Sequence, residues 1–127
     1  MMLGSIGQIA IRAKDLPRAV RFYRDALGLK LLFEAPPGLA FFQAGDVRLM
    51  LSKPENPEFD HPGSILYFNT DDILATHQAL TARGVVFRQA PHPVHRDGDR
   101  ALWIGDFTDS EDNTFAIMQW RPNETQT

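Results

Sequence analysis

Few side chains in this 127-residue sequence are equipped for chemistry, and their spacing is informative. Gln8 sits as a polar residue among the first apolar ones of "SIGQIAIRA", so it either faces solvent or points into a site. Arg48, in "VRLMLS", puts a cation on an otherwise apolar segment. Such a guanidinium calls for an anionic partner, either an internal acid such as Glu34 or the carboxylate of a ligand. His92 and His95 stand three apart in "PHPVHRDGDRALW". The plain reading of that stretch is a polar connection rich in turn formers. Its functional reading is the rim of a site, with His92 or His95 as a hydrogen bonder or general base. A metal pair made by these two histidines lacks a third ligand nearby in sequence. Trp103 reads as core, as the wall of a site, or as a platform for a planar ligand. There is no cysteine, which excludes disulfides, thiolate metal sites and a cysteine nucleophile. No phosphate loop, nucleophile elbow or paired-carboxylate site is present.

The elements that must position these residues come twice. Asp15 can cap a helix with Pro17 in its first turn, where a missing N–H costs nothing. Leu16, Val20, Tyr23 and Leu27 then make one apolar stripe, and Gly28 ends it. A second helix runs from Asp71 or Asp72 to Gly84. A short strand precedes each helix ("GQIAIRA", "GSILYFN") and another follows ("LKLLFEAP", "VVFRQAP"). The landmarks Gly7/Gly63, Asp15/Asp71 and Gly28/Gly84 are each 56 residues apart. Two further strands complete each half: "LAFFQAG" and "VRLMLSK", then "RALWIGDF" and "NTFAIMQW". The chain therefore reads as strand–helix–strand–strand–strand written twice, an α+β fold of two βαβββ modules. Their expected bounds are 5–52 and 63–120, with a Pro-rich linker at 53–62 and a polar tail at 121–127.

Strand alternation sorts the side chains between a helix-covered face and a cup on the other side. Ile9 and Ile11 should meet the helix, sending Gln8, Ala10 and Arg12 to the cup. Val47, Leu49 and Leu51 are the apolar set of their strand, leaving Arg48 and Met50 opposite. Ser64, Leu66 and Phe68 are assigned to the cup, as are Thr114, Ala116 and Met118, with Phe115 and Ile117 on the helix side. Met50 and Met118, at matching points of the two halves, suit an adaptable apolar wall.

Composition bounds the function classes. Apolar residues make up 43% of the chain and charged ones 23%, with a formal net charge of −3 and no basic block. Phosphate backbones and anionic membranes call for clustered cations, so neither nucleic acid nor a membrane is an expected partner. The N-terminal stretch lacks a signal-peptide apolar core, and no apolar run reaches membrane length, so a cytoplasmic location is expected.

"IAIRAKDLPRAVRFYRDALGLKL" and "FTDSEDNTFAIMQ" resemble the opening module and closing strand-turn-strand of the vicinal oxygen chelate superfamily, which includes glyoxalase I, bleomycin-resistance proteins and extradiol dioxygenases. The closing turn there is usually Asp-Pro-Asp-Gly-Asn, against Asp109-Ser110-Glu111-Asp112-Asn113 here. The resemblance covers nearly the whole chain and implies a curved mixed sheet around a cup. It also implies a metal on four cup-facing positions, which carry over to Gln8, Arg48 (or Leu49, one register away), Ser64 and Ala116. A divalent metal wants imidazole or carboxylate there. Gln8 offers a weak oxygen, Arg48 repels a cation, Ser64 is poor and Ala116 supplies nothing. The expectation is therefore a metal-free, glyoxalase/bleomycin-resistance-like homodimer binding a small organic molecule in an apolar cup. Its ligand would have an aromatic or aliphatic body against Trp103, Met50, Met118 and Phe68, and an anionic or strongly polar end at Arg48 and Gln8. The alternatives are a metal-dependent lyase, isomerase or dioxygenase with an altered ligand set, and a structural dimer whose cup is filled by Phe41, Phe42 and Phe68.

Overall fold

Carboxylates start both helices. Asp15 accepts a hydrogen bond from the Arg18 amide, and Asp72 one from the Ala75 amide. Each satisfies an amide that has no partner within its helix. The second cap thus sits one residue past the repeat position, Asp71. The computed structural model describes residues 2–54, 57, 60 and 63–123. Its elements are β1 (Gln8–Arg12), α1 (Leu16–Arg21) running into a π-helical turn (Phe22–Ala26), β2 (Lys30–Ala35), β3 (Leu39–Ala44), β4 (Val47–Ser52), β5 (Leu66–Asn69), α2 (Ile73–Ala82), β6 (Phe87–Asp97), β7 (Arg100–Thr108) and β8 (Thr114–Pro122). Most of the expected linker (55, 56, 58, 59, 61 and 62) and residues 124–127 of the expected tail lie outside the described residues.

The two halves share one topology. One sheet has the order β1-β4-β3-β2 and the other β5-β8-β7-β6, and in each the first strand pairs parallel with the last. Two βαβββ modules are therefore present. The chain divides into two compact units, Met1–Ser64 with Asp109–Asn113, and Ile65–Thr108 with Thr114–Thr127. No helix among the described residues is long and apolar enough to cross a membrane.

In the first unit, Ile11, Ala40, Phe42, Leu49 and Leu51 are buried together with Ala19, Val20 and Tyr23 of the helix. The Tyr23 and Phe42 ring centroids are 5.7 Å apart. A polar turn completes this core. Tyr23 Oη donates to Asp109 at 2.6 Å, and the same carboxylate accepts from the Glu111 and Asn113 amides. Glu111, 1% exposed, accepts from Arg18 Nε and Nη2, from the Asp15 amide and from the Ser110 hydroxyl. Burial alone would raise the Glu111 carboxyl, but these hydrogen bonds outweigh it and leave the group below its ordinary range. Burial first, and then the Asp109 charge, push the Tyr23 phenol well above its own. Asp112 takes φ 67°, a left-handed backbone conformation that a short polar side chain tolerates.

In the second unit a line of rings faces α2. Phe68 meets Phe115, Phe115 meets Phe107, and Phe107 meets Phe87, at centroid separations of 5.8, 6.0 and 5.2 Å. His77 of α2 packs edge-on against Phe87. The stretch read as a connection around His92 is instead a strand. β6 runs to Asp97 and returns through Gly98-Asp99, with Gly98 at φ 65°. Pro91 and Pro93 are accommodated because β6 is an edge strand and needs hydrogen bonds on one side only. Arg121 and Pro122, read as tail, belong to β8, and Asn123 bonds to Asp99, Gly98 and Arg96 at the hairpin tip.

Candidate functional site

Each sheet has one face packed on its helix and one left open. Directly paired residues share a face, so the register assigns every candidate. In the first sheet Gln8 pairs with Arg48 and Arg48 with Gln43; Ala10 pairs with Met50, Met50 with Phe41 and Phe41 with Phe33. All lie opposite the buried Leu49 and Leu51. The one-residue alternative that would bring Leu49 to the open face is thereby excluded, since Leu49 is a core residue.

Arg48 is the centre of this face. Its Nε and Nη2 both donate to Gln8 Oε1, at 2.9 and 2.6 Å, and Gln8 Nε2 lies 3.6 Å from Met50 Sδ. Its guanidinium carbon is 4.7 Å from the centroid of Phe41, which itself stacks on Phe33 at 4.5 Å. Glu34, the internal acid considered for Arg48, pairs with Ala40 and so faces the other side, near Arg24. Among the described residues Arg48 forms no ion pair. Lys30, paired with Gln43, and Arg12, 3.4 Å from Asp60, carry the other charges on this face.

On the second sheet the face away from α2 carries Met118 and Ala116, the latter buried. The register adds Tyr67 and Asp106 on either side of Ala116, and Asn69 and Ile104 on either side of Met118. His92 pairs with Ile104 and His95 with Leu102, so both histidines flank this face. His92 Nδ1 lies 2.8 Å from the Ala90 carbonyl; because a carbonyl only accepts, the ring donates from Nδ1. His95 packs edge-on to Trp120, over which Arg100 stacks at 4.2 Å. Arg88 bonds Thr114 and pairs with Asp106.

Three candidates lie elsewhere. Phe68 pairs with Ile117 and packs on Phe115, which puts it on the α2 side. Ser64 precedes β5, exposed and outside the strand. Trp103 pairs with Gln119, whose amide caps the start of α2 through the Ile73 amide and Asp71 carbonyl, so Trp103 also lies on that side, under Arg121. Phe33, Tyr67 and Trp120 were not singled out from sequence, although 48%, 51% and 36% of their surfaces are exposed.

The donor set does not fit a divalent cation. The only ligating oxygen among the carried positions of the first sheet, Gln8 Oε1, is occupied by two N–H groups of a cation. Ala116 has no donor, and among the described residues no three His, Asp or Glu side chains gather.

The model of the Glyoxalase/Bleomycin resistance protein/Dioxygenase superfamily matches residues 5–117. A glyoxylase-like domain-containing protein of Didymella fabae is 34% identical over 125 residues, spanning 90% of this chain and 92% of that protein. The uncharacterized protein YraH of Bacillus subtilis (strain 168) is 26% identical, over 88% and 95% of the two chains. Among solved structures, lactoylglutathione lyase from Agrobacterium tumefaciens is similar with a TM-score of 0.71 at 25% identity, over 91% and 93%. UcmS2 has a TM-score of 0.75 at 22% identity, over 92% and 98%, a likeness of fold.

Proposed function

The chain belongs to the glyoxalase/bleomycin resistance protein/dioxygenase superfamily, and from that premise we propose that it is a metal-free binding protein for a small organic molecule. The open sheet faces are the binding surface, led by the first. The Gln8–Arg48 pair carries the reading: the amide oxygen that would go to a metal is committed to a guanidinium, which itself repels divalent ions. Around the pair lie Met50 and the half-exposed Phe33, and the second sheet offers Met118 and Tyr67, apolar surface suited to an organic body. His92 and His95, at the edge of that second face, serve as ligand hydrogen bonders. The protein acts as a homodimer, since each module is marginal alone and Leu3, Ile6, Ile65 and Val86 are exposed apolar side chains.

Metal analysis of the purified protein, followed by a thermal-shift screen, tests this. The reading expects no stoichiometric divalent metal, no rise in Tm with zinc, nickel, manganese or iron, and a rise with one or more organic compounds. One metal per chain, lost when Gln8 is replaced, would overturn it in favour of a metal-dependent lyase, isomerase or dioxygenase.

A further inference from the structure

We propose that Arg48 makes the open face of the first sheet selective for planar organic anions, holding a carboxylate on its guanidinium while the ring lies on Phe33 and Met50. This deepens the binding reading above and rests on it.

A guanidinium has five N–H groups in a planar fork. Gln8 takes one from Nε and one from Nη2, along one edge of the fork. The end formed by Nη1 and the second Nη2 hydrogen remains, and its two parallel donors match the two oxygens of a carboxylate. Gln8 and the Phe41 ring hold the group in place, so less side-chain freedom is lost when a ligand binds. Gln8 is a positioning residue in this arrangement.

Selectivity follows from what the face lacks. With Glu34 on the other side, Arg48 has no acid partner among the described residues. The side chain is exposed and hydrated until something covers it. A neutral molecule covering it strips that hydration without replacing the charge, whereas an anion replaces it. Lys30 on the same face adds positive potential. Beside Arg48, the stacked Phe41–Phe33 pair offers Phe33, half exposed, as aromatic surface, and Met50 adapts to the outline of a ring. The positive charge a ligand oxygen meets here comes from a side chain.

Calorimetric titration of the full chain with 2-naphthoate, and with 2-naphthylmethanol as its neutral isostere, tests the assignment. Naphthoate should bind more tightly than the alcohol. Arg48→Met should weaken naphthoate by at least about tenfold, the value of a charge-assisted pair, and should not weaken the alcohol, which no longer strips a hydrated charge. Gln8→Glu keeps an acceptor beside the guanidinium but neutralises it, so it should weaken naphthoate comparably. A merely structural Gln8 would not discriminate between the two compounds. Thermal melting confirms that each variant is folded. Equal binding of the two compounds, or naphthoate binding that survives Arg48→Met, overturns the anion assignment and leaves the binding reading standing. Absence of binding by both compounds also overturns it, and the binding reading is then decided by the neutral and cationic members of the thermal-shift screen.

Discussion

Glu111 is a buried carboxylate whose every partner is a donor, so its removal is felt more than that of any surface charge. Glu111→Gln keeps the shape but loses the charge-assisted bonds from Arg18, and should lower stability by about 2 kcal/mol in urea unfolding at neutral pH. Because its folded-state pKa lies below the ordinary value, this stabilisation is present above about pH 4.3 and is lost as pH falls through the depressed value. The gap between wild type and Glu111→Gln should therefore close in acid; a gap independent of pH would refute the role. Tyr23 acts in the opposite sense. Its raised pKa gives stability that is full below about pH 10 and lost as pH rises through the folded value. Tyr23→Phe should be less stable at neutral pH, through the lost bond to Asp109, yet less sensitive to alkali in melting curves. Arg48 and Met50 are legible in the sequence because each lies between strong aliphatics whose alternation fixes the parity, and Gln8 because Ile9 and Ile11 fix the parity of its strand. Phe68 and Trp103 are not. "ILYF" (65–68) and "ALWI" (101–104) have hydrophobic or aromatic side chains at every position, so period two cannot say which set meets the helix, and packing on Phe115 and pairing with Gln119 decide it. Phe33 escapes notice because the register shifts between Leu31 and Phe33, reversing the parity read from Leu31.

The hairpin of β6 and β7 is the element least visible in sequence. Two prolines and a run of polar residues read as a loop, whereas an edge position admits both prolines and leaves the polar side chains in solvent. What lets this hairpin close is Gly105. A Cβ there would stand 2.9 Å from the Pro91 nitrogen and 3.0 Å from its Cδ, atoms of a rigid ring that cannot turn aside. Gly105→Ala should therefore push β6 off β7 and cost about 1–3 kcal/mol, read as a lower urea midpoint. It should also shift the His92 and His95 resonances, since both pair across the same ladder. An unchanged midpoint would mean that the strands separate freely and that β6 is not a fixed support for these histidines. The helices, by contrast, are announced by their caps, by Pro17 and by the apolar stripe, all local signals. Only the start of α2 is ambiguous, because Asp71 and Asp72 are equally good caps until Gln119 binds the Ile73 amide and Asp71 carbonyl.

At the scale of the molecule the repeat is the clearest signal, because an offset kept by Gly7/Gly63, Asp15/Asp71 and Gly28/Gly84 survives any local ambiguity in strand parity, and the two sheets have matching strand orders. The turn Asp109–Asn113 is less foreseeable: it closes the second repeat in sequence but belongs to the first compact unit, held by Tyr23, Arg18 and Asp15. Small modules and exposed apolar side chains lead to the expectation of a homodimer in sedimentation at micromolar concentration, and a monomer alone at that concentration would count against it. The central claim is that organic binding on these sheets needs no metal, because a guanidinium occupies the oxygen a metal would use. Calorimetric titration of 2-naphthoate into protein treated with EDTA, and into the same protein resupplied with zinc, tests it most directly. The account predicts the same affinity in both; binding that vanishes with the chelator and returns with zinc would contradict it.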